Sequence, residues 1–375
     1  MPGLPYNPAV TLSEKYQNIG HDLGNVPVTV NSGDVVTYGH ALDLLDSGLY
    51  ATNLGTFGSG VDGALQFTAI ANGAGTVTLW NGTTLTASSN TYTLSQDLWL
   101  GESWSAANAT GGATYGPTWP TIATGVTINS NGFRIFCQGL LQNNGTIASN
   151  GVAASGTTAG TAVSYTSTMG NSTAGGAGGT GATSGNNTGT NVTISLGGAG
   201  GKGGNNASAA SGAGGTVTAP GATLELPFSL PYATTGRVGN GTTGTSFLTG
   251  GGGGASGQGD AGNNSGAGGS GGGVVMVAAQ RIAGTGTIAA VGGAGSNAAN
   301  AGNSGGGGGG GGGVVIVVSR SVQANGAYYN AVASPTPTVY GQTITVAGGA
   351  GGVGNGQANG NGTPGNAGTL ILIPA

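Results

Sequence analysis

Charge is scarce in this chain. Asp, Glu, Lys and Arg together make up 4% of 375 residues, where a typical soluble domain carries about 25%. Only six residues are Lys or Arg and none cluster, so binding to nucleic acid by phosphate neutralisation is excluded. The single cysteine, Cys137, excludes an internal disulfide framework and a cysteine zinc site. It reads as a small apolar residue in a strand. The two histidines, His21 and His40, have no HExxH or clustered context. Asp43 and Asp46 are close enough in sequence to pair for glycoside chemistry, but the glycine-rich region holds only Glu225 and Asp260. These carboxylates read as isolated and solvated. No Gly-Lys-Ser/Thr is present, which excludes a P-loop. The residues therefore predict no enzyme, no cofactor and no metal site. Long apolar runs are also missing: the longest Val/Ile stretch, Val314 to Val318, falls far short of the roughly 20 residues that span a bilayer. The opening Met-Pro-Gly-Leu-Pro-Tyr-Asn-Pro has no basic or apolar leader texture, which predicts synthesis and assembly in a cytoplasm.

Glycine is abundant, at 87 residues. A helical protein is excluded, because each interior glycine costs about 1 kcal/mol relative to alanine. Collagen is excluded by the lack of a Gly-X-Y register and by only 13 prolines. Charge-driven disorder is excluded by a 37% hydrophobic content and a net charge of −4. What remains is an all-β or polyglycine-type structural protein.

Charge divides the chain. Residues 1–104 hold eight acids against one base, Lys15, for −7, while the rest holds two acids against five bases, for +3. The first part, 1–104, reads as a small antiparallel β domain. Its strand runs are Val26–Val30 and Val35–Tyr38 across an Asn31–Asp34 turn, then Ala64–Ile70, Gly75–Trp80 and Thr84–Ser88, with Asn72-Gly73 and Asn81-Gly82 as hairpin turns. Thr11–Gly24 fits one short helix capped by Ser13. Residues 105–118 read as a linker, and 119–375 as a glycine-rich body.

That body repeats. Gly132-Phe-Arg-Ile-Phe-Cys aligns with Gly273-Val-Val-Met-Val-Ala and Gly313-Val-Val-Ile-Val-Val. Thirteen residues after each starting glycine lies another: Gly145, Gly286 and Gly326. Gly-Thr-Ile follows at 145–147 and 286–288, and in the third unit Thr-Ile is displaced to Thr343-Ile344. Each unit reads as strand, tight turn, strand. One face is expected to carry Phe133/Ile135/Cys137, Val274/Met276/Ala278 and Val314/Ile316/Val318. No unit can bury that face alone, so the units must stack.

Between units lie glycine-rich excursions at 156–270, 293–312 and 347–367, including nine consecutive glycines at 305–313. Flexible linkers have such a composition, but these runs stop directly at Val-rich strands. The sharper expectation is polyglycine-II-type helices, with three residues per turn and about 3.1 Å rise, packed as a bundle. Such helices have no internal hydrogen bonds, so each N–H and C=O must find a neighbouring segment. Mobile loops are the alternative.

The stretch Gly125-Val-Thr-Ile-Asn-Ser-Asn-Gly-Phe-Arg-Ile-Phe, the stretch Leu140-Leu-Gln-Asn-Asn-Gly-Thr-Ile, and the closing Gly368-Thr-Leu-Ile-Leu-Ile-Pro-Ala resemble glycine-rich bacteriophage fibre and adhesin proteins. Over 119–375 the chain resembles the tail-fibre tip adhesins of T-even-like phages. The resemblance implies a non-enzymatic virion protein, made in the host cytoplasm and acting outside it. It would hold other virion proteins through 1–104 and bind a host-surface glycan or outer-membrane protein. Symmetric closure makes a homotrimer the default. A capsid decoration protein or head fibre is an alternative, as is a bacterial glycine-rich surface protein or an ice-binding bundle. Recognition must fall where the glycine texture is interrupted. The candidate contact residues are therefore Tyr328, Tyr329 and Tyr340, with Phe228 and Tyr232 in a second loop, because aromatic rings suit carbohydrate. The same rings would equally cover the bundle end or seal a subunit interface.

Overall fold

In the computed structural model the described residues are 57–58, 60–71, 73–105, 116–163, 172–178, 187–193, 195–206, 210–218, 249–260, 262–299, 302–319, 329–330, 338–339, 341–356 and 359–374. All of them fall in one compact unit. The strands are β1 (Gln66–Phe67), β2 (Thr76–Thr78), β3 (Thr84–Thr86), β4 (Thr91–Thr93), β5 (Leu98–Gly101), β6 (Ser103–Ser105), β7 (Gly116–Thr118), β8 (Thr121–Ile122), β9 (Thr127–Asn129) and β10 (Arg134–Asn143). They continue as β11 (Thr146–Ala148), β12 (Val192–Thr193), β13 (Val217–Thr218), β14 (Val274–Ala283), β15 (Thr287–Ala289), β16 (Val314–Ser319), β17 (Tyr329–Asn330), β18 (Thr338–Val339), β19 (Gln342–Thr345) and β20 (Thr369–Pro374).

Two sheets carry most of them. The first runs β1-β8-β10-β14-β16-β20-β17 with β5 also on β10, and the second runs β18-β19-β15-β11-β9-β4. Nearly every pairing within them is parallel, the exceptions being the terminal β17 and β18. The antiparallel arrangement expected over the first part is therefore corrected. Among the described residues before 104, β2 and β3 form an antiparallel hairpin, but β1, β4 and β5 pair in parallel with β8, β9 and β10. The hairpin signals were local, whereas parallel pairing joins distant segments. The expected helix at Thr11–Gly24 and the strands at Val26–Val30 and Val35–Tyr38 lie outside the described residues.

The repeat units coil between the sheets. β10, β14 and β16 lie side by side in the first sheet, and Thr146-Ile147, Thr287-Ile288 and Thr343-Ile344 lie in register in the second. The displaced third Thr-Ile thus occupies the equivalent position. One detail differs from expectation. Ile135 and Cys137 pair with Val277 and Ala279, not with Met276 and Ala278, and the register shifts between Cys137 and Leu140. Gly139, at φ +154°, sits within that bulge. Both faces of β14 and β16 are buried from Val274 to Ala279 and from Val314 to Val318, as continuous apolar runs in parallel sheets require.

The core lies between the sheets. Tyr92, Ile128, Ile147, Ile288 and Ile344 form one ladder, facing Leu98, Leu100, Ile135, Cys137, Val277 and Val317 among others. Each fully buried aliphatic of this kind contributes about 1.5–3 kcal/mol.

Beyond the strands both sheets continue as glycine-rich segments in the same lateral order. Ser149, Gly151 and Ala154 donate to the carbonyls of Ala289, Val291 and Ala294, and Gly292, Gly295 and Ala298 donate to Ala347, Ala350 and Val353. The run 305–313 lies at the centre. Gly305, Gly308 and Gly311 donate to Gln258, Ala255 and Gly252; Gly306, Gly309 and Gly312 donate to Gly360, Thr363 and Asn366; Gly307, Gly310 and Gly313 donate to Ser296, Gly293 and Ala290. Its carbonyls accept from three further segments, through Gly198, Gly201 and Gly204, through Gly266, Gly269 and Gly272, and through Gly349 and Gly352. Six neighbours therefore surround one segment, each addressed at every third residue.

This contact leaves no room for side chains. A Cβ at Gly309 would run into the Gly349 carbonyl oxygen, which is backbone and cannot swing aside. Gly156 is different: it has φ +55° and nothing within 4 Å of a built Cβ. Gly309→Ala should therefore destabilise by about 3 kcal/mol or more, against about 1–2 kcal/mol for Gly156→Ala. Urea unfolding of the two variants checks this ordering.

Candidate functional site

At the end remote from the strands, successive glycine segments reverse direction, and these turns meet. The turn Asp260–Asn263 is closed by reciprocal backbone bonds. Asn303 N–H donates to Asp260 Oδ2 at 2.9 Å, and Ser304 Oγ to the Asn263 carbonyl. Asn355 N–H donates to Ser304 O, Asn205 N–H to Asn359 O, and the Asn206 amide to the Gly259 carbonyl. Gly302 and Gly356 reverse the chain at φ +69° and +74°, in the left-handed region where glycine is favoured. The result is a surface of asparagine amides with one carboxylate, Asp260. Asn264, Gly302, Gly356 and Asn359 are exposed on it. Just beneath, the Gln258 side chain is buried and its Oε1 has no partner among the described residues. Amides both donate and accept, so such a surface suits a neutral ligand rich in hydroxyls.

A second surface is the outer face of the second sheet. Thr91, Thr127, Thr146, Thr287 and Thr343 stand in register across five parallel strands. The inward isoleucine ladder forces this, because alternate residues face opposite sides. The ladder's side chains are uncharged and spaced by the strand separation of about 4.7–4.9 Å.

Of the sequence-predicted contact residues, Tyr328, Tyr340, Phe228 and Tyr232 lie outside the described residues. Tyr329 belongs to β17 and pairs with Leu370 at the end of the first sheet. The asparagine turns were not singled out from the sequence, since Asn is common throughout. Their signal is an Asn or Asp on either side of a turn glycine between two glycine segments. No protein family, curated protein or solved structure matches the chain.

Among the described residues away from these surfaces, the Asp97–Arg134 pair is structural. Asp97 accepts from the Arg134 backbone N–H at 2.7 Å and from its Nε at 2.9 Å, tying the start of β10 to the segment before β5. Arg134 also lies over the Phe136 ring, and Trp99 stacks on that ring at 4.6 Å. Among the described residues no group of three or more His, Cys, Asp or Glu is placed to hold a metal. Burial pushes the Cys137 thiol up from 9.0 to about 12, and the Glu102 carboxylate adds repulsion. The folded state therefore resists thiolate formation. Stability contributed by the neutral thiol is complete below about pH 9 and is lost as pH rises towards about 12. Native protein should leave Cys137 unreactive to a thiol reagent at pH 8, with full reaction on unfolding, and Cys137→Ala should flatten the alkaline loss of stability.

Proposed function

We propose that the chain is a non-enzymatic fibre or adhesin protein of a bacteriophage virion, whose glycine segments form a rigid block of polyglycine-II helices. The observation that carries this reading is the hydrogen bonding of 305–313, which rotates among three acceptor segments with a period of three. That is the behaviour of a helix with three residues per turn and no internal bonds. At about 3.1 Å per residue the nine glycines span roughly 28 Å. A block of this kind is stiff and chemically featureless along its length, which suits a projecting element that holds binding loops away from a particle. In this reading residues 1–104 dock to other virion proteins, a homotrimer is the assembly, and the asparagine turns contact a host-surface glycan or outer-membrane protein. Tyr328, Tyr329, Tyr340, Phe228 and Tyr232 are further proposed contacts.

Adsorption of the purified full chain to the bacteria on which its phage grows tests this. Asn264 and Asn359 enter the tip bonds through backbone carbonyls, so Asn264→Arg with Asn359→Arg should leave melting unchanged and reduce adsorption at least tenfold. The triple change of Tyr328, Tyr329 and Tyr340 to Ala should act likewise. Unchanged adsorption in both variants would remove the contact assignment.

One observation favours a second reading, an ice-binding bundle. The in-register threonine ladder offers hydroxyl and methyl groups at a fixed repeat on an uncharged face, and ordered water is a periodic ligand. Inhibition of ice recrystallisation that is abolished by Thr287→Lys would support it. No inhibition by the native chain would dismiss it.

A further inference from the structure

Trp80 is 64% exposed, against full burial of most of the apolar side chains around the core. It stands at the tip of the β2–β3 hairpin, where Gly82 N–H closes the turn on Leu79 O. An indole of this size in water is normally tolerated on a mobile tip, but this tip is braced. The Asp62 carboxylate, 93% buried by its 7% residual exposure, accepts the Trp80 N–H through Oδ1 at 3.0 Å and the Trp99 N–H through Oδ2 at 2.7 Å. One acid therefore ties the turn to β5, a strand of the first sheet. Two charge-assisted hydrogen bonds to one buried carboxylate fix the backbone of this turn. Val61, 50% exposed, precedes that acid.

The next residue, Asn81, begins an ordered amide pair. Asn81 Oδ1 accepts the Thr83 N–H at 3.0 Å, and Asn81 Nδ2 donates to Gln96 Oε1 at 2.8 Å. The Gln96 side chain is thus oriented with its own Nε2 donors turned away from that bond. An exposed indole on a turn whose backbone is braced, next in sequence to an oriented amide pair, matches the chemistry of a sugar ring, which presents apolar C–H faces and hydroxyl edges. Asp62 is spent on two backbone N–H groups, so the site offers no free charge.

We infer that Trp80, Asn81 and Gln96 form a saccharide-binding subsite, with Asp62 as its positioning residue. It lies on the strand-bearing part of the molecule, apart from the asparagine turns. The inference rests on the adhesin reading for its biological setting, but its chemistry is independent of which particle carries the chain.

An array of purified bacterial surface glycans, probed with the full chain and with Trp80→Ala, Trp80→Phe and Gln96→Ala, tests it. Trp80→Ala should lower the signal of the bound glycans at least tenfold, with Trp80→Phe restoring most of it and Gln96→Ala weakening it severalfold. The exposed ring predicts unchanged melting; if Trp80→Ala melts early, the Trp80→Phe and Gln96→Ala comparison decides. Equal binding by native and variant chains, or no glycan bound by the native chain, overturns the subsite. Adsorption of the native chain to host cells is read in parallel. Cell binding without any glycan signal would overturn the subsite and leave the adhesin reading standing, whereas glycan signal without cell binding would do the reverse.

Discussion

The constraint on which this molecule depends is that a buried backbone without side chains must satisfy every polar group through other segments of backbone. Hydrogen bonds contribute about 0.5–1.5 kcal/mol each, net, while glycine loses more conformational freedom on ordering than any other residue. A single such segment cannot hold itself. The run 305–313 is stable only because six neighbours present groups at the right height, one pair of directions for each residue of its period.

The sandwich sets those heights. Ile147, Ile288 and Ile344 lie in register in the second sheet, and the segments leaving β11, β15 and β19 keep that order. The returning segments lead directly into β14, β16 and β20, again in register. Apolar burial thus supplies the driving force at one end of the body, and hydrogen bonding propagates the register to the other. Serines and asparagines finish the edges: Ser270 Oγ accepts the Val152 N–H, Asn150 Oδ1 the Val291 N–H, and Asn297 Oδ1 the Val353 N–H. Side chains here replace the segment that an interior position would have.

A lattice built this way has little surface chemistry of its own, so distinctive side-chain chemistry gathers at its interruptions. The asparagine turns, the threonine ladder and the Trp80 tip each arise where the glycine period stops or has not begun. They differ in what fixes them. The turns are held by contacts between loops, the ladder by the buried isoleucines behind it, and Trp80 by one carboxylate that reaches two backbone amides.

Much was legible in the chain itself. The recurring glycine, strand and Gly-Thr-Ile spacing placed Thr343-Ile344 opposite Thr287-Ile288 despite the displacement, because a repeated unit must repeat its core contacts. The purity of 305–313 in glycine already implied approach from all sides, since any Cβ would meet backbone there. Tertiary structure alone decided the rest. Short β runs such as Tyr92 and Ile128 pair in parallel across 36 residues, and nothing local distinguishes that from a hairpin. The slip that sets Cys137 against Ala279 depends on a bulge at Gly139. The threonine ladder, the meeting of Asp260 with Asn303 and the bracing of Trp80 by Asp62 all join residues distant in sequence, where spacing carries no information and only the folded register brings them together.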